Sequence, residues 1–164
     1  MNDNVYLGNP NLKKANTPHE FTEEQVIEFI KCKNDPVYFA KKYIKIVSLD
    51  EGLTQFHPYD FQETLIRRFH ENRFNICKMP RQTGKSTTSV SYLLHYAVFN
   101  DSTNIGILAN KAATARDLLG RLQTAYENLP KWMQQGIISW NKGSLELENG
   151  SKILAASTSA SAVR

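Results

Sequence analysis

The chain has 164 residues, of which 41% are hydrophobic and 22% are charged, and its formal net charge at pH 7 is +4. This length is typical of one domain, the composition excludes a disordered chain, and no apolar run approaches the ~20 residues that a membrane-spanning helix requires. The two cysteines and four histidines are scattered along the sequence, which argues against a structural zinc site and against a disulfide framework.

The amino-terminal third is expected to contain a leader and a small helical lobe. Residues 1–20 hold Asn, Pro and Lys with little periodic apolar content, which indicates an extended or disordered leader. Within residues 21–57, Thr22 and Gln25 have the spacing of a capping box and predict a helix start. Asp35 is an N-cap residue followed by a proline, and it predicts the start of a second helix.

From residue 58 onward the pattern alternates between helix and strand. An amphipathic helix to about residue 71 precedes four further elements, predicted as a strand at 73–79, a helix at 86–99, a strand at 104–109 and a helix capped by Asn110. This order implies right-handed crossovers and a parallel sheet that helices cover on both faces. The predicted fold class is therefore α/β.

The last third of the chain follows a different pattern. Short apolar strands are expected at residues 137–140, 144–148 and 152–156, and the connection before the last of them contains Asn149-Gly150. Asn-Gly is the strongest short-range hairpin signal, so these strands should form a small antiparallel meander.

The most informative motif is a phosphate-binding loop. Its general pattern is a glycine, four free positions, then Gly-Lys and Ser or Thr, placed between a strand and a helix. Residues 79–86 fit this pattern, except that Met79 replaces the first glycine. Gly84 would let the backbone turn closely around phosphates, Lys85 would neutralise charge at the β and γ phosphates, and Ser86 would ligate Mg²⁺. The alternative is a solvated turn before a helix, which the flanking strand and helix patterns disfavour.

The residues expected to bind ATP lie in this loop or shortly before it: Gln62, Arg81, Gln82, Thr83, Gly84, Lys85, Ser86 and Thr87. Lys85 and Arg81 are the predicted catalytic residues, because a positioned arginine can stabilise the charge that develops during phosphoryl transfer. Gln62 could contact an adenine edge while an aromatic neighbour covers the ring. The alternatives are, for Arg81, a surface arginine or one paired with a carboxylate at a sheet edge, and for Gln62, a solvated glutamine at a helix start.

Several segments resemble the large terminase subunit of T-even-type tailed bacteriophages. The similar segments, in chain order, are 6–16, Asp60-Phe61-Gln62, 80–87, 105–111 and 140–151. This resemblance covers nearly the whole chain and includes the loop without its first glycine. It places Gln62 on the adenine-contacting glutamine of that family, Lys85 and Ser86 on its phosphate and magnesium positions, and Arg81 on its loop arginine.

The resemblance implies a P-loop NTPase of the helicase-like ASCE type, with a parallel sheet flanked by helices and with ATP and Mg²⁺ as cofactors. The implied function is an ATPase motor that packages double-stranded DNA into proheads. Its implied partners are double-stranded DNA, the portal protein and the small terminase subunit, in an oligomeric ring at the portal. The expected location is the host cell cytoplasm, transiently at the prohead portal.

The sequence departs from the family pattern in one respect. Such an ATPase requires an apolar strand that ends in Asp-Glu, and none follows Lys85. We therefore expect residues 58–164 to be an ATPase core truncated before that strand, with a complementary chain carrying the remainder and the nuclease domain. The fragment alone would then be inactive. The alternatives are a nucleotide-binding interaction module without catalysis, and a fragment of a DNA helicase or translocase.

Overall fold

A computed structural model describes residues 4–48 and 50–158 of the chain. The described part begins with a hairpin of β1 (Val5–Tyr6) and β2 (Asn9–Lys13). Leu12 of β2 is only 1% exposed, and the backbone of Lys14 bridges to Ile137. The disordered alternative for the leader is therefore wrong for this segment, because an apolar side chain and backbone hydrogen bonds attach its extended strands to the core.

The next two elements are the predicted helices, α1 (Glu23–Asn34) and α2 (Pro36–Tyr43). The capping box is confirmed: the Thr22 hydroxyl accepts from the Gln25 backbone at 3.3 Å, and the Gln25 side chain accepts from the Thr22 backbone at 3.2 Å. The Asp35 carboxylate accepts from the first two free N–H groups of α2, as an N-cap residue should.

A hairpin of β3 (Lys45–Ser48) and β4 (Gly52–Gln55) follows, and it leads into α3 (Asp60–Glu71). The amphipathic pattern predicted α3 with nearly these bounds. Ile66 of α3 is fully buried, and α3 packs on α4 (Lys85–Phe99) and on α2.

The next two elements after α4 are the strand β5 (Asn104–Ala109) and the helix α5 (Ala112–Glu127). Both were predicted from their periodicity. The predicted cap is wrong: Lys111, not Asn110, is the N-cap residue of α5, and no side chain caps this helix. The chain thus enters α5 one residue later than the pattern indicated.

The last strands are β6 (Ile137–Trp140), β7 (Ser144–Leu147) and β8 (Lys152–Ser157). The pairings β6–β7 and β7–β8 are antiparallel, which confirms the meander. Asn149-Gly150 forms the turn before β8, with Gly150 at φ +81°. β8 also pairs in parallel with β5, so the four-stranded sheet has the order β5-β8-β7-β6.

The strand expected at residues 73–79 does not form. Within it, Phe74 is 82% exposed and Ile76 is 100% exposed. A strand is stable only where a neighbouring strand accepts its backbone hydrogen bonds, and no described strand lies beside this segment. The α/β class is confirmed in its coarse form, as helices with small sheets, but the doubly covered parallel sheet is not.

The two faces of the four-stranded sheet differ. Ile107 of β5 and Ile153 of β8 point towards α5 and are buried, whereas Leu108 and Leu154 point to the opposite face and are about half exposed. The core therefore lies between the sheet and the helices. Among the described residues, no helix has the length and apolarity needed to cross a membrane.

Candidate nucleotide-binding site

The predicted phosphate loop connects residues 73–79 to α4. Gly84 is the N-cap residue of α4 and adopts the left-handed conformation, with φ +72° and ψ 17°. Gln82 also has a positive φ, of +63°. Non-glycine residues rarely adopt this region, so the loop has a specific and unusual backbone shape.

The amino terminus of α4 lacks the caps that the first two helices have. The N–H groups of Lys85, Ser86 and Thr87 have no acceptor within the helix, because the first turn of any helix leaves such donors unpaired. Gly84 supplies no side-chain cap, and the first turn holds no acidic residue. The helix dipole and these donors together favour an anion at this position.

Lys85 is folded back onto the loop. Its ammonium nitrogen Nζ donates to the carbonyl oxygen of Met79 at 3.0 Å and to the carbonyl oxygen of Pro80. The Thr83 hydroxyl donates to the same Pro80 carbonyl at 3.0 Å. The lysine charge is therefore held inside the curve of the loop, where an anionic ligand would meet it.

Gln62 contacts the loop, and its amide has a structural task there. The side chain is 4% exposed; its Oε1 accepts from the Tyr59 backbone at 2.9 Å, and its Nε2 donates to the Thr83 carbonyl at 3.2 Å. A Cβ atom at Gly84 would collide with this Nε2. Gln62 therefore ties the start of α3 to the loop, a role that the sequence did not indicate.

Two aromatic rings lie beside Gln62. Tyr59 and Phe61 are stacked, with ring centroids 5.8 Å apart and an interplanar angle of 11°, and they are 70% and 45% exposed. Exposed and parallel rings on the residues that flank Gln62 are consistent with the predicted aromatic cover for a base. The adenine contact itself remains a prediction.

The other predicted residues differ in accessibility. Arg81 and Ser86 are exposed, and Thr87 is half-buried. Sequence reasoning missed Thr88, which is fully buried and donates its hydroxyl to the Gly84 carbonyl at 3.0 Å. The only available signal was a hydroxyl residue four positions after the glycine, a spacing that is common at helix starts.

A groove of about 820 Å³ opens on one side of the loop. The loop contributes Gln82 and Thr87, and the other walls come from the β3 segment and α5. This volume falls within the range of small-molecule sites. Gln62 is not among the residues that line this groove.

The far end of α4 is attached to the helical lobe through His95, which sequence reasoning also missed. Its Nε2 lies 2.9 Å from the Cys32 carbonyl, and its ring packs against Phe39 and Phe99. Burial lowers the pKa of His95 from 6.5 to about 4, so the ring is neutral at physiological pH. The helix that carries the loop is thus held in place by an uncharged, buried histidine.

Comparison with known families matches residues 76–164 to the model described as "Terminase large subunit, T4likevirus-type, N-terminal". The match covers more than half of the chain and includes the loop, α4 and the whole four-stranded sheet. Gln62 and the helical lobe lie before the matched residues. The resemblance seen in the sequence is thereby confirmed, and the chain belongs to the amino-terminal part of the T4-like terminase large-subunit family.

Proposed function

We propose that this chain binds Mg²⁺-ATP and supplies the phosphate loop of an ATPase motor that packages double-stranded DNA into proheads. The observation that carries the proposal is the uncapped start of α4, where Gly84 turns the backbone and Lys85 lies within the loop. A triphosphate would accept hydrogen bonds from the loop amides and would replace the Met79 and Pro80 carbonyls as the partner of Lys85.

The proposed roles of the remaining residues follow from their positions. Ser86 would ligate the Mg²⁺ that bridges the phosphates, because it is the exposed hydroxyl in the first turn of α4. Arg81, exposed at the front of the loop, would stabilise charge on the γ phosphate during hydrolysis. Gln62 would contact adenine while it holds the loop through Thr83.

The motor function is inferred from the family and not from the loop alone. Family membership supports double-stranded DNA, the portal protein and the small terminase subunit as partners. A phosphate loop by itself is equally compatible with other DNA translocases. Hydrolysis also requires a carboxylate that orients water, and no apolar strand ending in Asp-Glu follows Lys85 in this sequence. We therefore propose that a complementary polypeptide segment provides it.

The test is a titration of the chain with Mg²⁺-ATP, followed by calorimetry, with Lys85→Ala as the variant. Hydrogen bonds to charged groups contribute about 1.5–3 kcal/mol, so the affinity should fall about 10- to 100-fold. Lys142→Ala is the matched control, because Lys142 is an exposed lysine in the turn between β6 and β7. This control should bind like the unmodified chain. Equal affinity of the Lys85→Ala variant and the unmodified chain would refute the proposal.

ATP turnover separates the motor from a nucleotide-binding module without catalysis. The motor requires steady turnover when the chain is combined with the segment that carries the catalytic carboxylate, and it requires that Lys85→Ala abolish this turnover. Binding without turnover in the combined sample would support the module instead. Turnover that survives Lys85→Ala would exclude the phosphate loop as the site of hydrolysis.

A further inference from the structure

The outer face of α1 carries apolar side chains that point into solvent. Val26, Ile27 and Ile30 are 44%, 61% and 52% exposed, and Phe21, just before the helix, is 47% exposed. The opposite side of α1 faces the helical lobe and carries the buried Cys32. An outward helix face normally carries polar side chains. Exposed apolar side chains that lie together usually mark an interaction surface.

A groove of about 380 Å³ lies beside this face. Val26 and Ile30 line it from α1, and Trp132 and Met133 line it as well. Ile27 follows Val26 in the helix but is not among the lining residues, so it projects next to the groove. A projecting side chain beside a groove is self-complementary: when two copies face each other across a twofold axis, the Ile27 of each can enter the groove of the other.

The charged residues of α1 are divided along its length. Glu23 and Glu24 lie in the first turn. Lys31 and Lys33 lie in the last turn, and all four side chains are exposed. None of them forms an ion pair within the part of the chain that the structure describes, although the Lys31 ammonium lies over the Tyr38 ring at 3.9 Å.

This division of charge favours one orientation for a second copy of the helix. When two such helices lie antiparallel, the acidic turn of each meets the basic turn of the other, and their dipoles point in opposite directions. In a parallel pair, acidic residues would face acidic residues and basic residues would face basic ones. The outer face of α1 is therefore complementary, in shape and in charge, to an antiparallel copy of itself.

We propose that the outer face of α1 binds a second copy of this chain, with the two α1 helices antiparallel across a twofold axis. Ile27 of each copy lies against Ile30 of the other, and these apolar contacts form the centre of the interface. Glu24 of each copy faces Lys31 of the other at its rim. A twofold contact of this kind closes as a dimer and does not build a ring.

The contact should be weak because it is small. α1 has 12 residues, so this face is about 18 Å long and about 10 Å wide. Stable protein interfaces bury about 800 Å² on each partner, which is more than one such face provides. We therefore expect a dissociation constant of about 10–300 µM.

The α1 surface lies far from the phosphate loop. α1 packs on the carboxyl-terminal end of α4, where the rings of Phe29 and Phe99 have centroids 4.9 Å apart. The loop is at the other end of the 15-residue α4, about 20 Å away. Dimer formation should therefore leave the affinity for Mg²⁺-ATP unchanged within about 2-fold. The dimer does not depend on the proposed function.

Sedimentation equilibrium of the whole chain at about 5–500 µM tests the proposal. The mean mass should rise from the 18.7 kDa of one chain towards twice this value. Ile27→Asp should raise the dissociation constant about 10-fold or more, because it places charges at the centre of the interface. Leu53→Asp, at a 49% exposed apolar position on β4, is the matched control and should dimerise like the unmodified chain.

Two outcomes of this experiment would overturn the proposal. A mass that stays at 18.7 kDa up to about 500 µM would leave the face of α1 to a different protein. A dimer that Ile27→Asp does not weaken would lie elsewhere on the chain. Both substituted residues are largely exposed, so the circular dichroism of each variant should match that of the unmodified chain.

Charge reversal tests the antiparallel orientation. Glu24→Lys alone and Lys31→Glu alone should each raise the dissociation constant about 5-fold, because like charges then meet at the rim. Both reversals in one chain should return it to within about 2-fold of the unmodified value, because the opposite charges face each other again. A double variant as weak as either single variant, or single variants that bind normally, would overturn the proposed pairing.

The Lys85→Ala variant separates this proposal from the proposed function. It should dimerise like the unmodified chain while it loses nucleotide binding, and Ile27→Asp should bind Mg²⁺-ATP normally while it stays monomeric. Loss of the dimer in Lys85→Ala would place the contact at the loop and overturn the proposal. A dimer that binds no nucleotide would refute the proposed function alone.

Discussion

Replacing Gly84 with alanine should disturb the loop in two ways that can be measured separately. Gly84 has φ +72°, where a non-glycine residue costs about 1–2 kcal/mol. The new Cβ would also collide with Nε2 of Gln62. Displacing this buried amide from the Thr83 carbonyl should cost about 1–3 kcal/mol more.

The combined cost of Gly84→Ala is thus about 2–5 kcal/mol. For a chain of this size, each kcal/mol shifts the melting temperature by about 2–4 °C, so a decrease of roughly 4–20 °C is expected. The free energy of unfolding is measured by urea titration, with circular dichroism as the signal. Nucleotide affinity should fall in the same variant, because the displaced glutamine no longer holds the loop.

A double-mutant cycle isolates the collision. Gln62→Ala alone removes the hydrogen bonds to Tyr59 and Thr83 and should cost about 1–2 kcal/mol. The pair Gly84→Ala and Gln62→Ala should then be less destabilising than the sum of the single changes, by about 1–3 kcal/mol. Additivity within about 0.5 kcal/mol would refute the contact between Gln62 and the loop. A neutral Gly84→Ala variant would refute the left-handed conformation at this residue.

Two further predictions concern Arg81 in the loop and His95 at the far end of α4. Arg81→Ala should reduce ATP turnover, measured by steady-state kinetics on the chain combined with the segment that carries the catalytic carboxylate, more than it reduces ATP binding, measured by calorimetry. Equal loss of turnover and of binding would mean that Arg81 only holds the phosphate in the ground state. Burial lowers the pKa of His95 from 6.5 to about 4 in the folded chain. Between pH 6.5 and pH 4 the unfolded chain therefore binds one proton more than the folded chain does. Stability should therefore decline as the pH falls through this window, by up to about 3 kcal/mol. Urea titrations from pH 4 to 8 should show this slope, and His95→Gln should flatten it.

The sequence predicted most local elements because their signals are local. The capping box at Thr22, the proline start after Asp35, and the Asn149-Gly150 turn each depend on residues within a few positions. The helices and the meander followed from apolar periodicity. Residues 79–86 predict a phosphate loop because phosphate binding requires Gly, Lys and a hydroxyl at fixed spacing.

Predictions that depended on a distant partner were less successful. The pattern of residues 73–79 is that of a strand, yet the segment stays unpaired because strand formation requires a neighbour that local sequence cannot specify. The leader was expected to be extended or disordered, but Leu12 is buried and Lys14 pairs with a strand more than one hundred residues later. Such contacts leave almost no signal in short windows of sequence.

The sequence by itself determined the helices and the meander, because hydrogen bonding, capping and periodicity act over a few residues. Only the tertiary structure decided that Gln62 ties α3 to the loop, that β5 pairs in parallel with β8, and that Lys85 lies on two loop carbonyls. These features join residues that are distant in sequence or depend on one particular path of the backbone. They are selected by the packing of the whole chain and not by any single segment.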